Sequence, residues 1–376
     1  MPRQKQTFAV LSMLVGCFFL LHHHCCVSAF AASIVTGASG YVGKAVVHEL
    51  LLEAQDKKNQ KIICLVRPAR VDTETAYWKD EACVSVEPYD MMDGGDSLRA
   101  ALNKLLNSND GHPVSICVYH IASWFSPSDN HVQMAKENVQ GTEDLVKMLG
   151  QFPNCKLVVT SSMAAVRATS QDPVNGNYYT KDDWNTVSAL GANWGASYQW
   201  SKTESERRAW ALSKELDIPM VALCPSFVFG PPASKELSRS FSTELVGQWI
   251  KGESEVQSRL FVDVRDVAQA HVAAGTLPNA VGKRYIVSTE ERLASKRVAE
   301  ILKDICREEN FGGAGAISYD SNFSGGAIAI GEKEVEAEAR LKEELGITLR
   351  SPQDTVKDMG KFLIKHSLDS LKESKQ

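Results

Sequence analysis

The run Ile34-Val35-Thr36-Gly37-Ala38-Ser39-Gly40-Tyr41-Val42-Gly43 constrains this chain more than any other stretch. An apolar strand-like segment runs into three glycines spaced G-x-x-G-x-x-G, and Lys44 to Leu52 then reads as a helix. The first glycine makes a tight turn, the second lets backbone approach a pyrophosphate, and the third lets the helix pack on the strand. The helix N-terminus adds N–H groups and a dipole that favour phosphate charge. Thr36, Gly37, Ser39, Gly40, Tyr41, Val42 and Gly43 are therefore the first candidate cofactor-binding residues. The competing reading is a plain strand-to-helix turn.

Further apolar runs follow at regular distances. Lys61–Val66 reads as a strand buried on both faces, as in a parallel sheet. Arg67 ends it, with Arg70 close by and no acidic residue at that point. An acidic side chain there binds the ribose 2′-hydroxyl of NAD, whereas an arginine suits the 2′-phosphate of NADP. Arg67 thus favours NADP(H) over NAD(H). Val84–Val86 alternates as a third strand leading to Asp90 and Met91, where the carboxylate either reaches an adenine amino group or caps a turn. Leu98–Leu106 reads as a helix and Val114–Tyr119 as a fourth strand, ending at His120, Ile121 and Ala122, candidate cofactor-binding residues in a turn over which the cofactor should pass. A helix runs through Asn138 to Leu149, and a fifth strand, Lys156–Thr160, runs into Ser161-Ser162-Met163. Strands alternating with helices imply right-handed βαβ units, with ligands at the carboxyl ends of the strands.

Ser197 to Leu216 has helical periodicity, so Tyr198 and Lys202, at i and i+4, share a face. On its own such a pair is ordinary. Behind a glycine turn and a strand-end serine it becomes a candidate acid with a cationic partner.

The residues before Ser33 differ from the rest. Arg3 and Lys5 precede an apolar run of 14 residues, Phe8–Leu21, and the small residues Val27 and Ala29 stand before Phe30. This is the form of a secretory signal cleaved after Ala29, with an N-terminal membrane anchor as the alternative. Ser28-Ala29-Phe30-Ala31 also resembles the junction of plastid presequences in algae with secondary plastids, although no Ser/Arg-rich stretch follows. Three of the nine cysteines lie in this leader, and the others show no CxxC pair or metal-ligand spacing. Cys64, Cys117 and Cys224 read as buried small hydrophobes, and no metal site is expected. A formal net charge of −5 argues against a nucleic-acid partner.

Taken together, Thr36-Gly37-x-x-Gly40-x-x-Gly43, Asp90, Asn138, Thr160-Ser161-Ser162 and Tyr198-x-x-Ser201-Lys202 resemble the extended short-chain dehydrogenases/reductases. Val66-Arg67-Pro68, Asp182–Asn185, Pro225–Pro231 and Phe261–Ala268 draw the likeness towards the dihydroflavonol reductase, cinnamoyl-CoA reductase and yeast methylglyoxal/ketone reductase group. It extends from Ser33 to near Leu371. The fold it implies is α/β: a doubly wound Rossmann-type parallel sheet with a smaller mixed C-terminal substrate-binding lobe. Residues 30–226 would form the dinucleotide domain, completed by about 258–287, with 227–257 and 288–376 as the lobe.

The activity it implies is NADPH-dependent reduction of a ketone or aldehyde, an oxidoreductase acting on the CH–OH group in reverse. Tyr198 would be the general acid, and Lys202 would lower its pKa and hold the nicotinamide ribose hydroxyls, both residues thus also lying against the cofactor. Ser162, rather than Ser161, would hold the carbonyl oxygen, and Asn138 would support the lysine. Pro225, Ser226 and Val228 would lie against the nicotinamide. Ser123, Trp124, Phe125 and Met163 adjoin the strand ends and are candidate substrate-pocket walls. Within the same superfamily, a nucleotide-sugar epimerase/dehydratase or a 3β-hydroxysteroid-type dehydrogenase is the alternative. The partner is a small carbonyl or alcohol, with membrane contact only if the leader is retained.

Overall fold

The computed structural model describes residues 32–54, 60–108, 114–168, 170–321 and 332–366. The leader, and with it the signal, anchor and plastid readings, lies outside the described residues.

The chain alternates strands and helices from its first turn. The order is β1 (Ala32–Thr36), α1 (Tyr41–Ala54), β2 (Lys61–Val66), α2 (Val71–Tyr77), β3 (Val84–Pro88), α3 (Asp96–Asn107), β4 (Ile116–His120) and α4 (His131–Leu149). Then come β5 (Cys155–Thr160), α5 (Met163–Val166), α6 (Trp194–Glu215), β6 (Met220–Pro225), β7 (Phe227–Phe229) and α7 (Phe241–Lys251). The last elements are β8 (Phe261–Asp263), α8 (Val264–Thr276), β9 (Arg284–Val287), α9 (Ser295–Glu308), α10 (Glu338–Leu345) and α11 (Pro352–His366). Seven strands form one parallel sheet in the order β3-β2-β1-β4-β5-β6-β9. Its strands are apolar along their length because helices cover both faces. Residues of α1, α8 and α10 pack on one face, with Val46, Val267 and Leu341 in its core. Residues of α3, α4 and α6 cover the other, with Leu98, Leu145 and Ala209. The order reverses between β1 and β4, the switch point at which such sheets bind ligands.

A second core gathers Phe229, Trp249, Ile301 and Leu363 from β7, α7, α9 and α11. Here the structure departs from the sequence expectation in two places. Phe261–Asp263 does not return to the main sheet but pairs with β7 in a separate two-stranded parallel sheet. The Asp263 side chain accepts from Arg265 N at 2.9 Å and starts α8 after only three strand residues. It is α8 and β9 that complete the nucleotide half. Likewise α10, expected in the substrate lobe, buries Leu341 and Leu345 in the core of the large sheet.

Candidate active site

The glycine turn is built by close approach. Gly37 sits at φ +68°, and a Cβ there would lie 3.0 Å from the backbone of Ala122 in the turn after β4. A Cβ on Gly43 would lie 2.1 Å from the Gly37 carbonyl oxygen, so only glycine lets α1 settle on the turn. The first N–H groups of α1 have no intrahelical partner and face the carboxyl end of the sheet.

Thr36 and His120 lock this turn to the next one. Thr36 Oγ1 accepts from the amides of Ile121 and Ala122, each at 3.1 Å, so its proton goes to His120 Nδ1 at 3.0 Å. His120 Nε2 therefore carries the ring proton and donates to Thr142 Oγ1 at 3.2 Å, and Thr142 donates to the Asn138 carbonyl at 2.9 Å. Burial holds the imidazole neutral, its pKa lowered to about 3. Both side chains are fully engaged by the protein. At a cofactor site they would act by positioning the Ile121 and Ala122 backbone. Tyr41 is similar: its hydroxyl donates to the Gly230 carbonyl at 2.6 Å, leaving only its backbone at the turn.

Asp90 caps a turn, with Oδ1 accepting from Met92 N at 2.9 Å. Met91 packs inward against Gly141, where a Cβ would lie 2.1 Å from Met91 Cγ. Arg67 is exposed just past β2, its guanidinium 6.0 Å from the Trp124 ring.

The other half of the site is where α6 crosses the end of β5. Ser162 caps α5, its Oγ accepting from Ala164 N at 3.1 Å, and stands near the Tyr198 hydroxyl. Burial pushes Tyr198 up to about 12, with Ser162 pulling the other way. Lys202 Nζ donates to the Thr160 carbonyl at 3.0 Å. Burial lowers this lysine to about 8, against the opposing pull of Cys224 and Glu206. Burial and Ser162 account for the Tyr198 shift, with Lys202 one turn further along the same helix. The ammonium points at main-chain oxygen, and desolvation dominates both groups.

Ser161 turns the other way, donating to Glu206 Oε2 at 2.5 Å. Glu206 is a functional-site neighbour that the sequence reading missed, although it stands one turn beyond Lys202 on the same helix. Its carboxylate also takes Arg284 Nε at 2.6 Å and Trp210 Nε1 at 3.2 Å. Arg284 in turn donates to the carbonyls of Lys181 (2.8 Å) and Asp183 (2.6 Å). The pair is buried beneath the strand ends, tying β9 to α6 and β5.

Asn138 does not touch Lys202 directly. Its Oδ1 accepts from Trp124 N at 2.7 Å and from Ser123 Oγ at 3.4 Å, and its Nδ2 donates to Trp124 O at 3.0 Å. It clamps the loop that carries the pocket candidates, while its carbonyl meets Ser205 Oγ of α6 at 3.2 Å. Asn138 and Lys202 do line one small polar cavity, with His120, Ser161, Ser205 and Glu206.

Trp124 and Phe125 remain 38% and 39% exposed beside Tyr198. Phe125 packs on Tyr198 at 4.7 Å, on Trp194 at 5.5 Å and on Phe241 at 5.0 Å between ring centroids. Trp194 lies parallel to Tyr198 at 6.1 Å. Trp194 and Phe241 were not expected, since one precedes the helical pattern and the other comes from the second lobe. Met163 is corrected to the core: it is 7% exposed and clusters with Val158 and Val221. At the end of β6, Pro225 is buried and Ser226 N donates to Val287 O at 3.1 Å. Ser226 Oγ is buried without a partner, and Val228 pairs with Val262 in the small sheet. Among the described residues no group of His, Cys, Asp and Glu is placed to hold a metal, and no helix is long and apolar enough to cross a membrane.

A doubly wound sheet with a glycine turn at its switch point, and Ser162, Tyr198 and Lys202 at the same edge, defines a dinucleotide-dependent protein of the short-chain dehydrogenase/reductase kind. Residues 33–288 match the NAD dependent epimerase/dehydratase family, and the chain belongs to it. It is 27% identical over 280 residues to cinnamoyl-CoA reductase CAD2 of Medicago truncatula, covering 72% of this chain and 79% of the relative. It is 27% identical over 276 residues to a bifunctional dihydroflavonol 4-reductase/flavanone 4-reductase of Malus domestica, covering 68% and 71%. Among solved structures, Gre2 of Candida albicans in complex with NADPH superposes with a TM-score of 0.74 at 25% identity, covering 89% of this chain and 99% of that one.

Proposed function

We infer that the protein is an NADPH-dependent reductase that delivers hydride to the carbonyl of an apolar or aromatic ketone or aldehyde. The observation that carries this reading is the Ser162 hydroxyl placed near Tyr198, with Lys202 on the next turn of α6 and the glycine turn along the same sheet edge. Similarity to plant reductases and to a reductase bound to NADPH supports it.

The residues present fit a dinucleotide. The turn has no room for a Cβ at Gly43, and Ser226 Oγ is a buried hydroxyl still without a partner at the end of β6. The glycine turn and the α1 N-terminus would hold the pyrophosphate, Arg67 the 2′-phosphate, and Pro225 and Ser226 the nicotinamide side. When bound, NADPH supplies the hydride.

The protein supplies the proton and the charge. Tyr198, held protonated by burial, gives its hydroxyl proton to the carbonyl oxygen as negative charge builds there. Ser162 Oγ, near that hydroxyl, is placed to hydrogen-bond the same oxygen. The Lys202 ammonium then stabilises the tyrosinate left behind. Phe125, Trp194 and Phe241 exclude water around Tyr198 and suit a flat apolar substrate. A nucleotide-sugar epimerase of the same family is the second reading, and the absence of an acidic residue at the end of β2 weighs against it.

The test is NADPH oxidation by the full chain across a panel of ketones, aldehydes and dihydroflavonols, with Tyr198→Phe alongside. Turnover of a carbonyl compound, lost by a factor of roughly 10²–10⁴ in Tyr198→Phe, is expected. Interconversion of a UDP-sugar without net NADPH consumption would establish the epimerase instead. For the leader, entry into the secretory pathway is proposed from sequence alone, and N-terminal sequencing after expression in a eukaryotic host should begin at Phe30.

A further inference from the structure

The aromatic wall beside Tyr198 ends in an excess of positive charge. Arg167 follows α5, Arg259 precedes β8 and Arg292 follows β9, and two of the three grip one carboxylate, Glu334. Arg292 holds it through Nε at 2.8 Å and Nη2 at 2.7 Å, and Arg167 Nη2 reaches Oε1 at 2.7 Å. Arg259, beside Arg292 through an isolated antiparallel β-bridge with Leu293, touches no carboxylate among the described residues. Its Nη2 donates to the neutral amide oxygen of Gln257, and its guanidinium lies 5.3 Å from the Phe227 ring centroid. The Nε groups of both Arg167 and Arg259 are buried without a hydrogen-bond partner.

A guanidinium taken out of water costs free energy unless an anion meets it. Burial lowers the pKa of Arg167 and Arg259, and the charge of Arg292 lowers both further. Segment 322–331 contains no Asp or Glu, so it supplies no counter-ion wherever it lies.

The position of the cluster matters as much as its charge. Phe227, under Arg259, meets Phe241 at 6.1 Å; Phe241 packs on Phe125, and Phe125 on Tyr198. A row of rings therefore leads from the proton donor to Arg259. Arg167 stands five residues after Ser162, at the other end of α5.

We propose that Arg259 forms an anion subsite that receives a carboxylate at the end of the substrate remote from the carbonyl. A guanidinium can offer two N–H donors to the two oxygens of a carboxylate. The word substrate rests on the reductase reading; the binding site does not.

The test separates the two. Binding of 3-phenylpropionate and of its uncharged amide to the full chain is measured by calorimetry, without cofactor. The acid should bind at least about tenfold tighter than the amide, the range of a charge-assisted hydrogen bond. Arg259→Gln should erase that difference and Arg259→Lys should restore part of it. Equal affinity for acid and amide in the wild type, or a difference that survives Arg259→Gln, would overturn the subsite. Tighter binding of benzylphosphonate than of the acid would overturn the carboxylate assignment. In turnover, an aryl ketone bearing its carboxylate at the far end of a long alkyl chain should exceed its methyl ester in kcat/KM by a similar factor, and that ratio should fall in Arg259→Gln. Parity between acid and ester would remove the substrate claim. Binding discrimination without reduction of any ketone would sink the reductase reading and leave the subsite standing.

Discussion

Lys202 Nζ donates to the Thr160 carbonyl at 3.0 Å, two residues ahead of Ser162 on the same strand end. The lysine is thereby fixed against the segment that carries the serine, in a place where burial lowers it from 10.5 to about 8. Between those values the unfolded chain binds more protons than the folded one, so stability from this group rises with pH from about 8 to about 10.5. Thermal melts of wild type and Lys202→Met across that window should diverge, with the wild type gaining relative to the variant. Parallel curves would mean that Lys202 titrates as an exposed lysine does.

Removing one partner of a buried ion pair leaves the other charged and unpaired. Arg284→Met should therefore cost about 3–5 kcal/mol, read from urea denaturation. The double variant Glu206→Met/Arg284→Met should recover much of that loss, because no isolated charge remains. A double variant no better than the single one would show that packing, rather than the charge, sets the cost.

His120 is lowered from 6.5 to about 3, and His271, bonded to Thr160 Oγ1 at 2.7 Å and to Val267 O at 2.7 Å, to about 4. Protonation favours the unfolded state in both cases, so their contribution is present above pH 6.5 and is lost as pH falls towards those values. Urea midpoints taken between pH 7 and pH 4 should fall, and His120→Gln should flatten the acid limb. An unchanged limb would place the acid sensitivity elsewhere.

The cofactor choice should turn on Arg67. Arg67→Asp replaces a cation suited to the 2′-phosphate by an acceptor suited to a 2′-hydroxyl. The ratio of kcat/KM for NADPH over NADH is expected to drop by at least about tenfold, the scale of one charge-assisted contact. A ratio unmoved by the change would assign the phosphate to other residues.

The sheet was legible because each of its strands is a continuous apolar run ending in a turn, and local pattern suffices for that. The glycine turn, the strand-end serine and the Tyr198/Lys202 spacing were legible for the same reason. Side-chain direction was not. Thr36, His120 and Tyr41 stand where a cofactor residue should, yet their polar atoms are taken by partners 22 to 189 residues away. Met163 follows the serine in sequence but turns into the core at the first step of α5. Phe241 and Arg259 reach the site from the second lobe, through contacts that no periodicity encodes. Two signals could have been read further. Glu206 repeats the i+4 step from Lys202, and Arg284 is a charged residue opening an otherwise apolar strand.

The Glu206–Arg284 pair also sets a schedule. Its partners are separated by 78 residues, which a ribosome adding about 5–20 residues per second needs roughly 4–16 seconds to make. Over that interval the emerging chain already holds the glycine turn, Ser162, Tyr198 and Lys202, but the carboxylate beneath them has no counter-charge. Maturation of the site therefore waits on the edge strand at the far side of the sheet. A product terminated before Arg284 would carry every reactive side chain and still lack the floor they stand on.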